Sequence, residues 1–309
     1  MKRTLLILCV ALLPLIAAAQ NTKAEDFQRR YNNLSARVGT AGLGVETLLK
    51  EWEAACPDDP NLFRARFLLY IEQARQVSYL RLDADHYLGK EPLLAYTDSL
   101  GVRGNIFEDV SYDSDLFAQA EKSLSQAIRL DPADLELRLA KVAALMAYEK
   151  ESPEMATREL CGLIDYNYLT KPAWTYFSEP VDGEGFIALL QDYCYSLFRL
   201  QTPTGFECFR LVSEKMLKYN PDHPLFLDNI GSYWLVGEHD SKKALKYYNK
   251  VLKSHPDDQT AIRNCILLAR NDKDVKLEKK YLAMLARYGE TEADREGAQR
   301  RLDALNTKK

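Results

Sequence analysis

The stretch AEKSLSQAIRLDP, Ala120–Pro132, sets a small residue (Ala120), a bulky one four later (Leu124), a small one three after that (Ala127) and a proline five further on (Pro132). The small residue lets another helix approach closely, the bulky one fills the seam, and the proline stops the helix because it has no N–H to donate. The same spacing recurs at Leu48, Trp52, Ala55, Pro60; at Ala156, Leu160, Leu163, Tyr168; at Phe209, Ser213, Met216, Pro221; at Ala244, Tyr248, Val251, Pro256; and at Leu277, Tyr281, Met284, Gly289. Successive ends lie 72, 36, 53, 35 and 33 residues apart. That is a period of about 34 residues with insertions in two gaps, the signature of a stacking helix-turn-helix unit.

The fullest unit is LFLDNIGSYWLVGEHDSKKALKYYNKVLKSHPDD, residues 225–258. Its Asn229, Ile230, Gly231 and Trp234 in a first helix, and Ala244, Tyr248 and Pro256 in a second, resemble the tetratricopeptide repeat, with one extra residue between the helices. The whole chain is similar in organisation to secreted tetratricopeptide repeat proteins of Bacteroidota. The resemblance implies an all-α fold: a right-handed α-α superhelix, a solenoid of about six helix pairs, over residues 21–309. It also implies protein or peptide binding on a concave face lined by first helices, where Asp228, Ser232, Arg263, Leu267 and Arg270 are expected. The two-lysine, two-asparagine carboxylate clamp of some family members has no counterpart here.

Further apolar stripes at helical spacing are Phe63, Phe67, Leu68, Ile71; Leu139, Val142, Ala143, Met146; and Ile187, Leu190, Cys194, Leu197. A closing helix is expected over about 291–306, where Thr291 and Asp294 resemble a capping box and Ala298, Leu302 and Leu305 share a side. Two irregular insertions are expected, at about 81–113 and 169–184. Within the first, glycines 101 and 104 favour a hairpin over Leu94–Asp109 that turns around Leu100–Arg103. In the second, Trp174, Tyr176 and Phe177 stand between Pro172 and Pro180, where they either seal a core or anchor a partner.

Residues 1–20, MKRTLLILCVALLPLIAAAQ, carry Lys2 and Arg3, an apolar run and small residues at Ala17 and Ala19, the pattern of a secretory signal peptide. An exported protein is expected, periplasmic or secreted, with a mature chain that begins at Gln20 or Asn21. Cys9 is no lipid-attachment site, because bulky Leu8 precedes it. The apolar run is shorter than the roughly 20 residues a membrane span needs, and charges interrupt every later helix, so no span is expected in the mature chain. Loss of Lys2 and Arg3 from 41 basic residues, against 45 acidic, leaves −6. That balance argues against nucleic acid as a partner.

Catalytic and metal-binding signatures are missing from the sequence: no G-x-S-x-G, H-E-x-x-H, P-loop or Rossmann fingerprint, and no C-x-x-C. No cofactor or metal is expected. His86, His223, His239 and His255 lack ligand spacing and suit solvated turns. Cys194 and Cys208 flank a helical turn near residue 201, but helix axes sit about 8–10 Å apart, so buried thiols are expected rather than a disulfide. The expected function is a non-catalytic scaffold. Two alternatives stay open: a glycan- or lipid-binding accessory of outer-membrane assembly or nutrient uptake that displays Trp174, Tyr176 and Phe177, and a hydrolase that gathers Asp83, Asp85 or Asp109 of the 81–115 region around a pocket.

Overall fold

The computed structural model describes residues 22–307; the expected signal peptide lies outside them. Helices take 69% of the described residues, which makes the fold all-α in class. In order, the elements begin with α1 (22–38), α2 (Val45–Ala55), α3 (Pro60–Ala74), β1 (Arg75–Leu82), β2 (Leu94–Thr97), β3 (Arg103–Tyr112), α4 (Ser114–Leu130) and α5 (Leu135–Glu149). Then follow α6 (Glu154–Thr170), β4 (Thr175–Tyr176), β5 (Glu179–Pro180), α7 (Gly183–Arg199), α8 (Pro203–Tyr219) and α9 (Pro224–Ser232), the last running into a π turn, Tyr233–Gly237. The chain closes with α10 (Ser241–Ser254), α11 (Gln259–Asn271), α12 (Val275–Tyr288) and α13 (Glu292–Thr307). Two compact units result: one holds the chain to Tyr148 together with Pro172–Phe186, the other Glu149–Lys171 and the chain from Ile187.

Proline sets the helix ends by a local steric rule. A residue before proline is pushed out of the α region. Accordingly Asp131, Asn220 and His255, which precede Pro132, Pro221 and Pro256, cap α4, α8 and α10 with nearly one geometry: φ −128, −129 and −128°, ψ 80, 79 and 76°. Cys56, before Pro57, ends α2 in the same way, at φ −142° and ψ 72°. The first repeat therefore stops at Pro57 and not at Pro60, which instead opens α3 behind the capping carboxylate of Asp59. The phase of the pattern moves with it, so the side chains packed inward from α2 are Val45, Leu48, Leu49 and Trp52, while Ala55 is only half-buried.

In the first unit, α1, α2 and α3 close around Trp52, whose Nε1 donates to Asp59 at 2.9 Å and whose ring stacks on Phe27. A second core joins Phe67 of α3 to Ala120, Leu124 and Ala127 of α4 and Leu137 of α5. The insertion between α3 and α4 is regular, contrary to the sequence expectation. It is a three-stranded antiparallel sheet in the order β1-β3-β2, and it starts at Arg75, before the expected boundary. The Asp113 N–H donates to the Ala74 carbonyl at 2.8 Å, so β1 and β3 prolong the α3–α4 hairpin as a ribbon. Leu94 pairs with Ile106 and Thr97 with Arg103, which puts the hairpin where the glycines indicated. Segment 83–93 covers one face of the sheet: Tyr87 packs on buried Phe107, and Asn105 Nδ2 donates to the Ala84 carbonyl at 2.7 Å.

In the second unit each helix from α9 to α12 packs on the one before and the one after it, and α13 packs on α12. Helices α9 and α10 fit tightly at Gly231, where an added Cβ would lie 2.5 Å from the buried ring of Tyr248. Only a bare backbone admits that ring, and this is what the Gly231 and Tyr248 pattern encodes. The extra residue between α9 and α10 falls at the π turn, where Glu238 donates to the Tyr233 carbonyl five residues back and so widens the ladder. Asn229 exchanges two hydrogen bonds with Gln191 of α7, at 2.8 and 3.2 Å. Cys194 and Cys208 are both free and buried; burial pushes the Cys194 thiol up to about 12.

Gly231→Ala is expected to lower stability by about 1–3 kcal/mol through overpacking against Tyr248. Gly162→Ala in α6, where an added methyl meets nothing, should be neutral or stabilising by about 0.5–1 kcal/mol. Urea unfolding of the two variants beside wild type checks this.

Candidate functional site

Helix α11 starts behind Asp258, whose carboxylate accepts the Ala261 N–H at 2.9 Å, and its apolar positions face inward at Ala261, Ile262, Cys265, Leu268 and Ala269. That phase leaves Arg263, Leu267 and Arg270 on the opposite face, each about half exposed. Together with α13 they line an open groove of about 330 Å³. Its apolar parts are Ile266, Leu267, Leu282, Leu285 and Ala298, and Arg301 of α13 stands on the far wall. Three of the five residues assigned from sequence to the partner face therefore come together here.

Charge in the groove is organised around one buried acid. Glu278 of α12 is 4% exposed and accepts from Arg270 Nε at 2.8 Å and Arg301 Nε at 3.1 Å. Burial pushes its carboxyl up, but the two guanidiniums outweigh burial and hold it below the ordinary carboxylate range. Arg263 pairs with Asp294 at 2.9 Å, and the hydrogen bonds from Thr291 and Arg263 lower the Asp294 carboxyl. Asp294 also takes part in the α13 cap, where its N–H donates to Thr291 Oγ1 at 3.1 Å. Three guanidiniums thus face two carboxylates, which leaves the groove with one positive charge in excess.

The other two assigned residues lie elsewhere. Asp228 is 4% exposed, beside the α11 cap and not at the surface, and its Oδ1 has no hydrogen-bond partner among the described residues. Ser232 is half-buried and shares a 3.2 Å hydrogen bond with the Tyr248 hydroxyl. Ser232 meets α10 through the Tyr248 hydroxyl and Asp228 meets the start of α11 at Asp258, so that side of α9 is covered.

Trp174 is also inside. It is 3% exposed, stacked on Phe186 and covered by the Arg138 guanidinium at 5.5 Å. The Thr175 N–H donates to the Ala133 carbonyl at 3.0 Å, which pins the second insertion to the α4–α5 turn. Trp174 therefore seals a core and offers no anchor. Phe177 is 65% exposed, with half-buried Tyr176 edge-on to it at 4.6 Å. Phe177 and Ser178 form the two-residue turn between β4 and β5 with φ of 49° and 65°, a left-handed backbone that hairpins ordinarily fill with Asn-Gly.

The carboxylates of the first insertion do not converge. Asp83 and Asp85 are exposed, Asp98 accepts the Leu100 and Val102 N–H groups of its own turn, Glu91 pairs with His86, Glu108 pairs with Arg75, and Asp113 caps α4. Asp109 accepts from the Tyr87 hydroxyl at 3.3 Å. Asp98, Glu91, Glu108, Asp109 and Asp113 thus serve a turn, ion pairs, a tyrosine hydroxyl and a helix cap, while Asp83 and Asp85 stand in solvent.

Sequence reasoning missed Glu278, Asp294 and Arg301 as parts of the groove. A signal existed for Arg301: it lies three residues after Ala298 and four before Leu305, both buried, so a cation interrupts the apolar side of a closing helix. No family model matches the chain, and no curated protein matches it in sequence. The tetratricopeptide likeness therefore rests on the residues themselves.

Burial, reinforced by the neighbouring Asp258 carboxylate, raises the Asp228 carboxyl from 3.8 to about 8. Folded Asp228 keeps a proton that the unfolded chain releases near its ordinary value, so this residue makes stability fall as pH climbs from about 4 to about 8, and no further above that. Asp228→Asn should be more stable than wild type near pH 8, by on the order of 5 kcal/mol, and equal to it below about pH 4. Thermal melts across that range test the sign.

Two substitutions separate the aromatics of the second insertion. Trp174→Ala should cost about 3–5 kcal/mol, as for a large core truncation. Phe177→Asn combined with Ser178→Gly should stabilise by about 1–2 kcal/mol through relief of the left-handed turn. Denaturant unfolding reads both.

Proposed function

We propose that this chain is an exported, non-catalytic scaffold of the tetratricopeptide type, a right-handed α-α superhelix that holds a protein or an extended peptide. The observation that carries the reading is the α11–α13 groove: an apolar floor between guanidiniums already oriented by a buried carboxylate. Fixed cations save the ordering cost that free arginine side chains would incur on binding. The partner this groove fits bears carboxylates next to apolar side chains, because the excess charge is positive and the floor is not polar. Nearest-neighbour packing of α9 to α13 supports the solenoid reading, since stacked repeats bury their faces only against adjacent ones. The exported address, periplasmic or secreted, rests on residues 1–20. A second reading, a glycan or lipid ligand, keeps support from Phe177 alone: an exposed ring on a strained turn suits a surface selected for contact.

Leu267→Glu tests the groove directly. Placed on an exposed position, it should shift unfolding by no more than about 0.5 kcal/mol while it reduces partner recovery from native envelope at least about tenfold. Recovery of the same proteins by wild type and variant would end the groove reading. Loss of recovery on Phe177→Asn instead would favour the second.

A further inference from the structure

The free edge of the three-stranded sheet, in the first unit and apart from the groove, carries an inference of its own. Strand β1 is RQVSYLRL, eight residues without proline, and its register with β3 is unbroken from Arg75 opposite Tyr112 to Leu82 opposite Asn105. The bond from Asp113 N–H to the Ala74 carbonyl fixes the phase of the ladder. Residues 76, 78, 80 and 82 turn their backbone groups toward β3, and Val77, Tyr79 and Arg81 turn theirs away. Strand β1 is an outer strand, and among the described residues no other segment takes up those three N–H groups.

Natural proteins blunt such an edge with charges, prolines, bulges or a covering element. This one has no proline and no bulge, and its two arginines do not shield it. Arg75 reaches across the sheet face to Glu108 at 3.2 Å, and Arg81 lies over the Tyr96 ring at 5.2 Å. The side chains beside the open backbone are Val77, 42% exposed, and Tyr79, 65% exposed.

We propose that β1 is a docking edge for an extended segment of another protein, which adds as a fourth strand and carries acidic residues at its ends with apolar ones between. Main-chain bonds to Val77, Tyr79 and Arg81 hold the segment, and alternate side chains read the strand. Charge selects the occupant. Strand β1 holds two arginines and no acid, so a carboxylate fits opposite Arg81, apolar groups opposite Tyr79 and Val77, and a second carboxylate opposite Arg75, where it shares the guanidinium with Glu108. A second copy of β1 fits poorly: in the centred antiparallel register Arg75 faces Arg81 at both ends, and like charges directly opposite destabilise a pair.

The test uses the full chain and a fluorophore-labelled, end-blocked heptapeptide, Glu-Thr-Val-Thr-Val-Thr-Glu, whose pattern matches a fourth strand antiparallel to β1. Saturable binding is expected. N-methylation of both valines, whose N–H groups face β1, should weaken it at least about tenfold, and N-methylation of the central threonine, which faces away, should not. Replacing both glutamates with lysines should also weaken it at least about tenfold. Val77→Pro removes an outward N–H while leaving the β1–β3 ladder its bonds, and should lose the peptide without losing the fold. No binding, equal binding of the valine-methylated peptide, or equal binding of the lysine peptide would each overturn the proposal. Concentration-dependent dimers abolished by Val77→Pro would assign the edge to a second copy and overturn it as well.

Discussion

The fit of α9 on α10 depends on one contact between an aromatic ring and bare backbone, the Tyr248 ring against Gly231. The closeness has consequences on both sides. It brings half-buried Ser232 onto the Tyr248 hydroxyl, and α10 in turn packs on α11, whose capping Asp258 lies beside buried Asp228. Because α11 is seated through Ile262, Cys265 and Ala269, its other face is left to Arg263, Leu267 and Arg270, and the groove with α13 follows.

Charge then does for the groove what the glycine does for the hairpin. Glu278 sits under two arginines from different helices, so the carboxylate of α12 fixes the guanidiniums of α11 and α13 at once. Its stabilising contribution is present above the ordinary glutamate range and fades as acid protonates it, because its folded value is depressed. Asp228 has the opposite sense, and both carboxylates lie within four successive helices. The second unit is therefore drawn in opposite directions by pH through two buried acids.

Much of the helical order was legible because it depends on neighbours in sequence. Residues before Pro132, Pro221 and Pro256 cannot stay helical, and that rule needs no tertiary information. The first repeat was misplaced because Cys56-Pro57 and Pro60 lie three residues apart, and only the structure separates a stop from a start. Strand β1 was missed because it continues from α3 without a break and its alternation of Val77 and Tyr79 with Leu80 and Leu82 is short. Site residues fared by the same logic: Arg263, Leu267 and Arg270 follow from the phase of one helix, whereas the burial of Trp174 and Asp228 depends on what docks from elsewhere in the chain, which composition does not encode.

The most direct test of the glycine and tyrosine contact is a double-mutant cycle of Gly231→Ala with Tyr248→Leu, read by equilibrium unfolding. A smaller, flexible side chain at 248 makes room for the new methyl group, so the Gly231→Ala penalty should shrink by about 1–2 kcal/mol in the Tyr248→Leu background. An unchanged penalty in both backgrounds would contradict the account, because it would mean the ring does not lie against that backbone.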